Sequence, residues 1–150
     1  MHMTQEVVII IAEDDEGHAR LIEKSLKRVG LHNSIQRCTN GQEVIDFLFR
    51  RGSGPHRRSD TAYLLLLDIR MPMVDGVEAL RQIKEDTSLR KLPVIMLTTT
   101  DDPREIERCH LLGCNSYIVK PVDFGKFAEA IAQLGLFVSL VQIPGINDEI

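Results

Sequence analysis

Hydrophobic and polar positions along this chain follow two alternating rhythms. Five short stretches read as strands: "VVIIIA" (Val7–Ala12), "SIQRC" (Ser34–Cys38), "YLLLL" (Tyr63–Leu67), "PVIMLT" (Pro93–Thr98) and "SYIV" (Ser116–Val119). Three of them are continuously apolar rather than alternating, as strands covered on both faces are.

Between the strands the apolar positions recur at helical spacing. Ala19, Ile22, Leu26 and Val29 form one stripe, stopped by Gly30. Val44, Ile45 and Leu48 mark a second helix, and Val77, Leu80 and Ile83 a third. In "DDPRE" Asp102 suits the N-cap, Pro103 the first helical position and Glu105 the third. A fifth helix runs from about Asp123 through Phe127, Ile131 and Leu134. Strand and helix alternating five times predict an α/β fold, a doubly wound five-stranded parallel sheet with helices on both faces. The expected layout is one domain over 6–136. Residues 1–5 are read as a disordered or cloning-derived start, and 137–150 as an apolar extension.

Composition narrows the functional classes. A hydrophobic content of 43% and a charged content of 27% are those of an ordinary globular protein. A net charge of −4 argues against a nucleic-acid-binding surface. The local basic run "FRRGSGPHRRSD" reads as a solvated loop rather than a phosphate site. Cys38, Cys109 and Cys114 fit no zinc spacing and are expected as reduced thiols of a cytoplasmic protein. No signal peptide is visible, and no apolar run approaches the roughly 20 residues of a membrane span.

The candidate chemistry collects where open parallel sheets bind ligands, beyond the carboxyl ends of the strands. The first strand ends in "AEDDE", with Glu13, Asp14 and Asp15; the third ends at Asp68, the fourth at Thr98 and the fifth at Lys120. Taken alone, each has a plainer reading: acidic residues suit a helix start, a strand-end aspartate caps turns, and threonine is common in strands. Their placement at one end of one sheet is what points to a site, because clustered like charges cost stability unless a cation compensates them. Carboxylates without cysteine or histidine suit a hard cation, Mg²⁺ best, and an aspartate beside Mg²⁺ can act as a nucleophile toward a phosphoryl group. Lys120 and the Thr98 hydroxyl would then serve the transferred oxygens.

Four segments in order, "IIIAEDD", "LLLLDIRMPMVDG", "VIMLTTT" and "GCNSYIVKP", resemble the receiver domain of bacterial two-component response regulators. The intervals of thirty residues from Asp68 to Thr98 and twenty-two from Thr98 to Lys120 are also those of that family. The resemblance implies Asp68 as phosphoacceptor. It implies Glu13, Asp14, Asp68 and the backbone carbonyl of Arg70 as Mg²⁺ ligands. Lys120 and Thr98 would contact the phosphoryl group, Tyr117 would be an aromatic switch, and the Lys120–Pro121 bond would be cis. Asp15, one step past the acidic pair, reads as a helix-start charge, and Gly76 as a residue admitting an unusual backbone angle. The chain departs from the family pattern at Glu13, where aspartate is frequent, at Thr99, where a smaller residue is frequent, and at Arg70, where a neutral one is.

The resemblance extends to single-domain receivers paired with bacterial phytochrome histidine kinases, through the long loop after the second helix, "LTTTDDP" and the tail ending in "IPG". It implies a stand-alone regulator that accepts a phosphoryl group from a sensor histidine kinase and is no enzyme beyond its own phosphorylation and dephosphorylation. No output domain is expected after the fifth helix. The apolar tail residues Phe137, Val138, Leu140, Val141 and Ile143 suggest a homodimer through the fourth helix, fifth strand, fifth helix and tail; folding back onto the chain's own core is the alternative. Three rival readings fit less well. A haloacid-dehalogenase-type phosphatase normally has a second aspartate where Arg70 stands. A flavodoxin-like cofactor binder needs a phosphate loop where this chain has "EDDE". A phosphorylation-independent binding module has no use for Asp68, Thr98 and Lys120 together.

Overall fold

The computed structural model describes residues 7–136 and Leu140. Strands β1 (Val7–Ala12), β2 (Ile35–Cys38), β3 (Ala62–Asp68), β4 (Val94–Thr98) and β5 (Ser116–Val119) alternate with helices α1 (Glu16–Arg28), α2 (Gly41–Phe49), α3 (Gly76–Glu85), α4 (Pro103–Leu112) and α5 (Phe124–Gln133). The strands form one parallel sheet in the order β2-β1-β3-β4-β5. This is the doubly wound architecture expected, with β3 at its centre.

The pleat divides the apolar strand residues between two cores. Ile10, Leu65, Leu67 and Met96 face α2 and α3, whereas Ile9, Leu64, Leu66 and Leu97 face Ile22 of α1 and Phe127 and Ile131 of α5. Leu64, Leu65, Leu66 and Leu67 have no solvent exposure at all. At about 1.5–3 kcal/mol for each buried leucine side chain, these four make β3 a firm mount.

Helix ends follow their local chemistry. The carboxylate of Asp102 caps α4 by accepting from the Arg104 amide, and Pro103 stands where its missing N–H costs nothing. Helix α1 ends one residue earlier than its stripe suggests. Val29 is the C-cap, Gly30 takes φ +86°, and the Leu31 amide donates back to the Leu26 carbonyl at 2.9 Å. Strand β3 is longer than its apolar run, and Asp68 belongs to it, paired with Leu97.

The turn into α3 departs from expectation at Gly76. Gly76 has no positive φ; the unusual angle falls on Met73, at φ +72°. Gly76 is required by contact instead, since a Cβ there would lie 2.1 Å from the Asp68 carbonyl oxygen and 2.8 Å from Ile69 Cα. Its amide donates to the Ile69 carbonyl at 2.7 Å, drawing the start of α3 against the end of β3.

The basic loop after α2 engages its own cations. Arg57 donates to the Leu48 carbonyl and Arg50 to Ser59, while Arg51 stacks over Phe49 and Arg58 pairs with Asp60. Gly54–Pro55 and Lys120–Pro121 are both cis. The expected N-terminal stretch 1–5 and the tail residues Phe137, Val138, Val141 and Ile143 lie outside the described residues. Leu140, expected on a dimer surface, is 2% exposed within its own chain's core and donates its amide to Leu136. Its apolar area is spent on the α1/α5 side of the sheet. No helix among the described residues is long and apolar enough to cross a membrane.

Candidate functional site

The sheet register brings the expected groups together. Ala12, the last residue of β1, pairs with Leu67, so Glu13 and Asp14 leave β1 beside Asp68. Asp68 pairs with Leu97, setting Thr98 next along β4, and Thr98 pairs with Val119, setting Lys120 just beyond β5. The Lys120 amide donates to the Thr98 carbonyl at 2.6 Å.

Carboxylate oxygens of Glu13, Asp14 and Asp68 lie within 4.8 Å of one another. Glu13 and Asp68 are buried, whereas Asp14 is exposed at the mouth. The Lys120 ammonium bonds to Glu13 and stands 3.3 Å from Asp68 Oδ1. Burial, and after it the charge of Glu13, holds the Asp68 carboxyl well above the usual carboxylate range, with Lys120 pulling the other way. Three carboxylates and one ammonium leave a net charge of −2 when ionised. An all-oxygen acidic set of that charge, open to solvent at Asp14, fits a divalent hard cation.

Asp15 caps α1 by accepting from the His18 amide at 2.9 Å, the helix-start role expected of it. Thr98 is fully buried, and its hydroxyl oxygen accepts from the Thr100 amide at 3.2 Å. The Tyr117 hydroxyl donates to the Thr100 carbonyl at 3.2 Å, which joins the expected switch residue to the threonine loop. Burial, followed by the nearby charge of Glu105, pushes the Tyr117 phenol up to about 12. The Arg70 side chain reaches Glu105 on α4 at 4.0 Å.

Two participants carry no motif. Arg37, on edge strand β2, donates through Nε to the Glu13 carbonyl at 3.0 Å and through a terminal nitrogen to Glu16 at 2.8 Å, pinning the acidic loop. His18 Nδ1 lies 3.1 Å from Lys120 Nζ. The available signal for both is position, a cation one residue before the end of the strand next to β1 and a histidine three residues after an N-cap.

A doubly wound sheet with an acidic cluster and a buried lysine at its carboxyl edge is the arrangement of an α/β protein with a ligand site beyond its strand ends. The comparisons narrow that class. The response regulator receiver domain matches residues 9–132. The crystal structure of a receiver domain from Rhodospirillum rubrum is 45% identical, covers 91% of this chain and 96% of its own, and superposes with a TM-score of 0.70. The bacteriophytochrome response regulator RtBRR is 33% identical, covers 95% and 86%, and has a TM-score of 0.79. Response regulator Rcp1 of Synechocystis is 30% identical over 75% of this chain and 76% of its own. Its Mn²⁺-bound crystal structure is similar at a TM-score of 0.69, with 26% identity and coverage of 92% and 99%. The chain belongs to the response regulator receiver family, signalling proteins of two-component systems.

Proposed function

We propose that this chain accepts a phosphoryl group on Asp68 from a histidine kinase, with Mg²⁺ as the divalent ion. The observation that carries the reading is Asp68 itself, a buried carboxylate at the tip of the central strand, 3.3 Å from a buried ammonium and flanked by two further carboxylates. Glu13, Asp14, Asp68 and the Arg70 carbonyl would hold the ion. When bound, it supplies positive charge that offsets the carboxylates and the oxygens of the incoming group.

A carboxylate oxygen of Asp68 attacks phosphorus as the phosphohistidine P–N bond breaks, and the bond's electron pair returns to the imidazole nitrogen, which regains a proton. Lys120 turns an N–H toward the transferred oxygens, and the Thr98 hydroxyl donates to another. Dephosphorylation is attack of water on the same phosphorus, releasing phosphate and restoring the carboxylate. On phosphorylation, movement of Thr98 passes through Thr100 to Tyr117, whose hydroxyl bonds to that loop, and so to the α4–β5–α5 face. That face is the proposed homodimer surface, and Leu111, 80% exposed on α4, is its most accessible apolar side chain.

The likeness to RtBRR supports a cytoplasmic bacterial phytochrome kinase as donor. Phosphotransfer from a purified, phosphorylated bacterial phytochrome kinase tests this reading. Rapid loss of kinase label to the wild-type chain, and none to Asp68→Asn, is expected. Retention of the label on the kinase with both proteins would refute the donor assignment.

A further inference from the structure

Lys120 carries three N–H bonds, and the structure supplies three acceptors. They are Glu13 Oε1, Asp68 Oδ1 at 3.3 Å and His18 Nδ1 at 3.1 Å. The first two are the acidic cluster already described. The third is an imidazole on the first turn of α1, half-buried.

An ammonium has no lone pair, so the lysine must donate and the ring nitrogen must accept. A hydrogen bond between them therefore requires the imidazole tautomer with its proton on Nε2 and Nδ1 bare. The backbone that carries the ring is held, because the His18 amide donates to the capping carboxylate of Asp15 at 2.9 Å. A cation between two carboxylates alone could follow either of them. A third acceptor on a rigid helix turn gives the ammonium a direction that does not depend on either carboxylate.

We propose that His18 is a positioning residue of the phosphoryl-transfer site, which aims the Lys120 ammonium through Nδ1. The proposal rests on Asp68 as phosphoacceptor and adds a residue to that site. When the carboxylates turn to a cation and a phosphoryl group arrives, Lys120 gives up its carboxylate bonds. Its bond to His18 persists and keeps the ammonium over the place where the transferred oxygens come to lie. Loss of that bond lets the ammonium wander, which slows transfer without removing any ligand of the divalent ion.

The test uses the full chain with Mg²⁺ and a range of acetyl phosphate concentrations, with labelling followed by intact mass. His18→Leu is expected to lower the limiting labelling rate by roughly three- to tenfold, the scale of one ordinary hydrogen bond. Mg²⁺ affinity by calorimetry should stay within about twofold. His18→Asn, which restores an acceptor, should recover most of the rate. In parallel, ¹⁵N spectra of the histidine rings should show His18 with bare Nδ1 in the wild type, and Lys120→Met should shift that resonance. A labelling rate for His18→Leu equal to wild type overturns the proposal, as does equal slowing in His18→Leu and His18→Asn. An unshifted ring resonance in Lys120→Met overturns the contact itself. Wild-type protein that takes no label refutes the phosphoacceptor reading instead, and Asp68→Asn run alongside separates the two failures.

Discussion

Replacing Asp68 by asparagine should make the metal-free protein more stable at pH 8. The ionised Asp68 carboxylate is buried and lies within 4.8 Å of the Glu13 and Asp14 carboxylates. At an effective dielectric constant of about 20, a like charge at that distance costs about 3.5 kcal/mol, and the Lys120 ammonium at 3.3 Å returns about 5 kcal/mol. Desolvation of the buried ion adds several kcal/mol of cost, so the balance is unfavourable. The upward displacement of the Asp68 carboxyl has the same sign. A net gain of about 1–3 kcal/mol for Asp68→Asn corresponds to about 3–10 °C in melting temperature for a domain of this size.

The pH dependence gives that gain a distinctive shape. The folded state holds the Asp68 proton more tightly than the unfolded chain does. Between the ordinary carboxylate range and the raised folded value, the folded state binds more protons, and stability falls as pH rises. The gap between variant and wild type should therefore be absent near pH 3–4, grow through the mildly acidic range and be complete at pH 8. Thermal melts in chelator at several pH values measure it directly. An Asp68→Asn protein that melts at or below the wild type at pH 8 would refute the electrostatic account of the site.

Three further outcomes follow from the same structure. Mg²⁺ should raise the melting temperature of the wild type by mass action, and replacing Glu13 and Asp14 together by alanine should abolish that rise; an undiminished rise would remove them from the ion site. Gly76→Ala places a Cβ 2.1 Å from the Asp68 carbonyl oxygen and should cost about 3 kcal/mol or more in denaturant unfolding, whereas a loss under 1 kcal/mol would contradict that contact. Leu140→Ala should cost about 2–4 kcal/mol, because Leu140 is 2% exposed in the α1/α5 core; a neutral substitution would mean that it lies elsewhere in solution.

What was legible in the sequence follows from how local each signal is. Leu64 to Leu67 leave no polar face, so a doubly covered strand was readable, and Asp68 stands out because a charge follows directly. Thr98 and Lys120 were legible for the same reason, as polar residues closing apolar runs. The Asp102-Pro103 start of α4 was readable because capping involves neighbours in sequence. Gly76 was harder, because its need arises from the Asp68 carbonyl across a turn, and no local pattern separates a close approach from a positive φ. His18 and Arg37 act on residues 102 and 24 positions away. Such pairings depend on which strands end side by side, which periodicity does not reveal. Leu140 looked like a dimer contact because an apolar residue past the last regular helix reads the same whether its partner is another chain or its own core.

The proposed function depends above all on transfer of the phosphoryl group to Asp68. Incubation of the full chain with acetyl phosphate and Mg²⁺, followed by mass mapping of the peptide that contains residues 64–72, measures it most directly. A single phosphoryl group carried on Asp68, lost in the presence of chelator and absent from Asp68→Asn, is expected. A phosphoryl group on any other residue, or undiminished labelling of Asp68→Asn, would contradict that assignment.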